Sequence, residues 1–361
     1  MNTERDALPV RGIVGETETA LSYVWRTPAR RPRKQPFDPV APSTGQGGLV
    51  RTDRARLERI VARVPEVMVK ITGRTKGAQH LLSHLAYITR DGRLPAETEE
   101  GIVLTGREGL GDLQARWIDD VALDNRRRSD GTVSVNMILS MPPGTDPTKV
   151  RDAVRAFALD AFEGRHDFAF VQHDDEAHPH VHLTVRALGY DGRRLNPRKA
   201  DLHHWRERFA EELRLRGVAA EATPRRARGR VRKAEHGAVR AIRERGVVPR
   251  VDRLAREAIV REARGEGASE RPWETRTAER QVAIRGQYRA TATELAQSSE
   301  PSDRALADRI TAFLSNMPEP SLQRHALLGE LADLAKAARI DRGAETPLII
   351  DADPRSTEKN R

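Results

Sequence analysis

The run His173-Asp174-Asp175-Glu176-Ala177-His178-Pro179-His180-Val181-His182 constrains the fold more than any other segment of this chain. It holds four of the eleven histidines, and His180 and His182 are separated by Val181 with Leu183 next. Alternate residues of a strand point to opposite faces, so His180 and His182 project side by side while Val181 and Leu183 enter the opposite layer. His173 ends the preceding stretch Asp167 to His173, and a short polar connector can fold it back beside the pair. Three imidazoles with open coordination positions suit a Lewis-acid site that meets a phosphate oxygen, rather than a closed structural one. Asp175 suits the carboxylate that accepts the other ring proton of a ligating histidine. His178 shares the parity of the pair but precedes Pro179, so it reads equally as a fourth ligand, a phosphate contact or a polar turn residue. An exposed His-rich loop is the bland alternative, and the alternation with Val and Leu argues against it.

The elements around this run define an α+β domain. Val67, Val69 and Ile71 alternate with polar neighbours in a strand, and Gly73 to Gly77 then leads into a helix from Ala78 to about Arg90. That helix has the apolar stripe Leu81, Leu82, Leu85 and Ile88, with Asp91-Gly92 as its stop. A helix over 109–123, a strand over 132–140, a helix over 147–162, strands over 167–173 and 180–188, and a helix over 197–216 follow. This order predicts an antiparallel central sheet with flanking helices. Residues 1–62 mix Pro, Gly and charge without periodicity and read as a disordered basic arm. The catalytic domain is expected over 63–228, and 229–361 as a mainly helical basic extension with a frayed C-terminus.

Cysteine is absent, which excludes disulfides, Cys-ligated zinc and Cys nucleophiles. No apolar run reaches the ~18–20 residues of a membrane span, so no membrane insertion is expected. The net charge of +10 is concentrated: residues 223–250 hold ten basic and two acidic side chains. That is the electrostatic footprint of a polyphosphate partner, although a solvated basic helix has the same composition. Arg225, Arg226 and Arg228 are the candidate backbone contacts.

Of four tyrosines, Tyr23 lies in the arm and Tyr288 in the helical tail, leaving Tyr87 and Tyr190 near the folded core. Tyr87 sits close to the end of the first helix, with Arg90 and Arg93 following to hold phosphate. A phenol of ordinary pKa ~10 needs a metal, a base or a polarised phosphodiester to act as a nucleophile at neutral pH. Taken alone, Tyr87 reads as core packing; the histidine run makes it a candidate nucleophile.

These segments together resemble the conjugative relaxases, or mobilisation nucleases, of the HUH endonuclease superfamily, closest to the T-DNA border endonuclease branch. The matching stretches are Thr75-Lys76 leading to Tyr87-Ile88-Thr89-Arg90-Asp91-Gly92-Arg93-Leu94, then Val133 to Asp146, His173 to His182, and Arg206 to Arg228. The resemblance covers about residues 66–230. It implies a site- and strand-specific DNA transesterase in which Tyr87 becomes 5′-phosphotyrosyl-linked at an origin of transfer. His173, His180 and His182 would hold Mg²⁺ or Mn²⁺, and Asp175 would orient His173 or assist proton removal. Lys76, Arg90, Arg93 and His178 would join the three arginines of 225–228 as DNA contacts. Some relatives carry an acid immediately before the middle histidine, where this chain has Ala177. The implied partners are single-stranded DNA, an accessory DNA-binding protein, a coupling protein and secretion machinery. The implied location is the bacterial cytoplasm, with export alongside the transferred DNA. No GxxxxGK[ST] is present, so no built-in ATP-driven helicase is expected. The rival readings are a phosphodiesterase without a covalent intermediate, a rolling-circle initiator or transposase, and an inactive DNA-binding accessory protein.

Overall fold

A computed structural model of the chain describes residues 22–25, 51–122, 131–231, 235–264, 266 and 272–318, together with Gly329 and Asp333. The remainder of the expected arm and the far C-terminus lie outside the described residues. The chain divides into two compact units, 1–228 with 284–316, and 229–283 with 317–361.

The first unit opens with the short helix α1 (Ser22–Trp25) and α2 (Arg51–Val61). Then follow β1 (Met68–Thr75), α3 (Ala78–Ile88), β2 (Ala96–Thr98), β3 (Val103–Leu104), α4 (Gly106–Ala122), β4 (Ser134–Ser140), α5 (Pro147–Phe162), β5 (Phe168–His173), β6 (His180–Arg186) and α6 (Lys199–Leu215). A 3₁₀ turn spans Arg225–Arg228. Helices α7 (Gly237–Glu244) and α8 (Arg250–Ala263) belong to the second unit, α9 (Pro272–Ala296) runs through the boundary, and α10 (Pro301–Ser315) belongs to the first.

The sheet has six strands in the order β1-β4-β6-β5-β2-β3, all neighbours antiparallel. The expected α+β architecture is the observed one. Its two faces follow from period-2 patterning. Val69, Val135, Met137, Leu139, Phe168, Phe170, Val181, Leu183 and Val185 pack with Phe157 of α5 and Phe209 of α6 in one buried cluster. On the other face Leu81, Leu85 and Ile88 of α3 and Trp117 of α4 cover Ala169 and Val171. Helix α5 begins where the sequence signals it, with Asp146 accepting from the Thr148 and Lys149 amides and Pro147 in the first turn.

Two features depart from the sequence reading. The strands β2 and β3, three and two residues long, are too short for alternation to declare them. Within the stretch read as an arm, α2 buries Leu57 and Ile60, and Arg59 pairs with the buried Glu221 at 2.7 Å. Its two buried apolar residues, at i and i+3, are diluted among arginines, which masks the period.

Helix α3 stops at a turn that glycine alone suits. Gly92 has φ +81, and a Cβ placed there would lie 2.6 Å from the Gly106 carbonyl carbon. Gly92→Ala is expected to destabilise the protein by about 2–4 kcal/mol, from left-handed strain and overpacking. Gly111→Ala, in α4 with open space around it, is expected to stabilise by about 0.5–1 kcal/mol. Urea denaturation of both variants checks this pair of opposite signs.

Candidate active site

The β5–β6 register brings the histidines together. His173 is directly opposite His180, and His182 is opposite Val171, so all three imidazoles leave the same face. Their ring centroids are 4.3 Å (His173–His182), 5.1 Å (His173–His180) and 5.4 Å (His180–His182) apart. One ligand nitrogen from each lies within 4.8 Å of the others, and all three residues are buried.

The donor set suits a divalent cation. His173 Nε2 is 2.5 Å from the Ile88 carbonyl and His180 Nδ1 is 3.3 Å from the His178 carbonyl. Each of these nitrogens donates its proton to a backbone oxygen, which leaves the other nitrogen with a lone pair for a metal. Burial, then the neighbouring His173 and His180, pushes His182 down to about 3. Burial also lowers His173. Three neutral imidazoles are the state a metal requires.

Tyr87 comes from α3, which crosses this face of the sheet. Its apolar stripe Leu81, Leu85 and Ile88 is buried, and the adjacent stripe His80, His84 and Tyr87 repeats the same i, i+4, i+7 spacing. Tyr87 meets His182 edge-on at 6.2 Å between ring centroids and is 60% exposed, so its hydroxyl is open to an incoming strand. The other candidate, Tyr190, follows the far end of β6, donates to Glu99 at 2.6 Å and is pushed up by burial and that carboxylate. Tyr288 is buried, its hydroxyl donating to the Ala227 carbonyl at 3.0 Å.

The remaining candidates separate. Asp175 Oδ2 pairs with Arg90, while Oδ1 lies 3.8 Å from His173 Nδ1, too long for a hydrogen bond. The Arg90 guanidinium also sits 5.6 Å from the Tyr87 ring centroid. Arg93 is exposed beside it. His178 pairs with Glu176 at 3.0 Å, and these two with His180 form a second group of potential ligands. Lys76 follows Thr75, which pairs through Ser134 to Arg186, whereas Met68 pairs through Ser140 to His180. Lys76 therefore stands at the other end of the strands, roughly 20 Å from the histidines. Arg225 is exposed, Arg226 is half-buried, and Arg228 pairs with Glu66 at 3.2 Å.

His84 is the neighbour that sequence reading passed over. Its Nε2 lies 3.0 Å from Thr184 Oγ1, two residues beyond His182 on β6. The signal was present in the spacing of His80, His84 and Tyr87 on one helix face.

The protein-family model that matches residues 87–217 is described as "Relaxase: MobA/VirD2-like, nuclease domain". The matched segment runs from Tyr87 through the histidine hairpin to the end of α6. Over that segment the chain is similar to relaxase nuclease domains. Among similar proteins are the T-DNA border endonucleases VirD2 of Rhizobium radiobacter and Agrobacterium fabrum, each 26% identical over 45% of this chain. The matches cover 43% and 41% of those proteins, so the chain spans less than half the length of these relatives. A solved structure from work on the molecular basis of vancomycin resistance transfer in Staphylococcus aureus is 16% identical. It covers 45% of this chain and 99% of that one, with a TM-score of 0.30. Among the described residues no helix is long and apolar enough to cross a membrane.

Burial, then His80, lowers His84 to about 4, so the native state refuses a proton that the unfolded chain accepts near pH 6.5. Stability contributed by the neutral form is complete above pH 6.5 and is lost as pH falls from 6.5 toward 4. By pH 5 the loss from His84 is expected to reach at most about 2 kcal/mol. Denaturant unfolding of the metal-free protein at pH 7.5 and 5.0 should show a smaller decrease for His84→Gln than for the wild type. Equal decreases would contradict the assignment.

Proposed function

We propose that this chain nicks one DNA strand at a specific site by transesterification on Tyr87, and that it serves the mobilisation of a conjugative plasmid or element. The observation that carries the reading is the meeting of an exposed tyrosine with three buried histidines on one sheet face. The relaxase nuclease match over 87–217 supports it. His173, His180 and His182 are the residues to hold Mg²⁺ or Mn²⁺. Bound there, the cation supplies Lewis-acid polarisation of the scissile phosphate.

The chain's own groups account for the rest. Tyr87 Oη forms the new bond to phosphorus as the P–O3′ bond breaks, giving a 5′-phosphotyrosyl strand and a free 3′-OH. The phenol proton leaves and the departing O3′ takes one up, so the exchange conserves phosphodiester bonds and permits rejoining. The α3 helix fixes Tyr87 against His182, which limits the search for an in-line approach. Asp175 stands near both His173 and Arg90, and we assign it to the catalytic set with Tyr87. Arg90, Arg93 and His178 line the approach from the turn after α3 and the hairpin connector. Lys76 stands at the far end of the strands, where we assign it to a DNA segment remote from the cleaved step, and we assign Arg225, Arg226 and Arg228 to backbone contacts with the DNA flanking that step.

We further propose residues 63–228 as the catalytic portion, single-stranded DNA at an origin of transfer as the substrate, and accessory, coupling and secretion proteins as partners. Cytoplasmic residence with export on transferred DNA fits those partners.

Tyr87→Phe is expected to abolish cleavage and the covalent product on single-stranded oligonucleotides while leaving DNA affinity within about twofold. EDTA should stop wild-type cleavage and Mn²⁺ restore it, with His180→Ala or His182→Ala losing at least about 100-fold. Cleavage without any covalent product would favour the water-activating phosphodiesterase. Full activity of Tyr87→Phe would remove Tyr87 from the mechanism.

A further inference from the structure

The turn after α3 is built to aim one side chain. Arg90, Asp91 and Gly92 have φ values of 53, 60 and 81, three successive residues in the left-handed region. Two of them carry a Cβ, and such residues persist only where their surroundings hold them. Here the Asp91 amide donates to the Ala86 carbonyl at 2.7 Å and the Leu94 amide to the Thr89 carbonyl at 2.8 Å. Thr89 Oγ1 donates to the Leu85 carbonyl at 2.7 Å and accepts from the Gly92 amide at 3.1 Å. The close approach of Gly92 to Gly106 locks the far side.

The product of this geometry is the position of Arg90. Its guanidinium lies 5.6 Å from the Tyr87 ring centroid and pairs with Asp175 of the β5–β6 connector, beside the histidines. Its positive charge acts on both His173 and His182. The partner Asp175 is half-exposed, so an incoming anion can reach the pair. Arg90 meets Asp175 through one carboxylate oxygen, and a phosphodiester oxygen can take the same place on the guanidinium, whose other N–H groups face no second oxygen of Asp175. The pair therefore has the form of an anion seat filled from within the chain.

Resting on the nuclease reading, we propose that Arg90 seats the scissile phosphate beside Tyr87, and that Asp175 is the internal anion that fills this seat until DNA displaces it. Asp175 thereby costs DNA affinity and keeps Arg90 aimed at the site while it is empty. Asp175 as a simple orienter of His173 makes no such demand, because its effect would then appear only with metal and in the chemical step.

The test is a double-mutant cycle on a fluorescein-labelled 30-nucleotide oligo(dT), measured by anisotropy in EDTA at low salt, where neither metal nor cleavage contributes. Asp175→Asn should tighten binding about two- to fivefold, the range of an exposed ion pair. Arg90→Ala should weaken it, and Asp175→Asn added to Arg90→Ala should change nothing further. Arg90→Lys, which keeps the charge without the fork, should lie between. Equal tightening by Asp175→Asn in both backgrounds would mean a general charge effect and would overturn the proposal. No tightening in either background would overturn it too. Failure of the wild type to bind the oligonucleotide at all would instead defeat the nuclease reading beneath it.

Discussion

The strand register between β5 and β6 is the constraint on which the rest of the site depends. His173 opposite His180, with His182 two residues further along, exists only in that pairing. The same alternation places Val181, Leu183 and Val185 in the cluster with α5 and α6. A slip of one residue would exchange the two sets, taking three apolar side chains out of their cluster and placing histidines among its phenylalanines. Packing of one face thus specifies the chemistry of the other. The site is an outcome of the core rather than an addition to it.

The helix α3 supplies the second half by the same logic. Leu81, Leu85 and Ile88 commit one stripe to the core, which leaves His84 and Tyr87 on the stripe next to β6. Desolvation beneath the helix keeps His84 and His182 neutral, and the turn that ends the helix returns Arg90 over Tyr87. Buried histidines, an exposed tyrosine and a half-exposed cation therefore occupy successive depths of one approach. This gradient suits a charged polymer that must present one phosphate inside and keep the rest in solvent.

Much of this was legible before the fold was seen. The His–Val–His alternation gave the strand, its face and the convergence of three histidines, and the apolar stripe of the first helix gave the element that carries Tyr87. The antiparallel architecture followed from element order. What stayed hidden depends on tertiary distances. His84 has a meaningful neighbour, Thr184, only across α3 and β6. Lys76 is close to Tyr87 in sequence, yet β1 and α3 run in opposite directions, so eleven residues carry the chain from one end of the sheet to the other. Arg228 belongs to a basic run and pairs with Glu66, so composition overstated its freedom. Helix α2 was concealed because its stability comes from tertiary contacts such as Arg59–Glu221, not from its own pattern.

The central claim is that the phenol of Tyr87 becomes the phosphate acceptor under the control of the histidine face. The most direct measurement is tandem mass spectrometry of the protein after incubation with a random single-stranded oligonucleotide library and Mn²⁺, followed by nuclease trimming and proteolysis. The account predicts a nucleotide phosphodiester on the peptide containing Tyr87, formed with Mn²⁺ and missing with EDTA. A modified Tyr190 or Tyr288 peptide, or cleaved oligonucleotide with every tyrosine peptide unmodified, would contradict it.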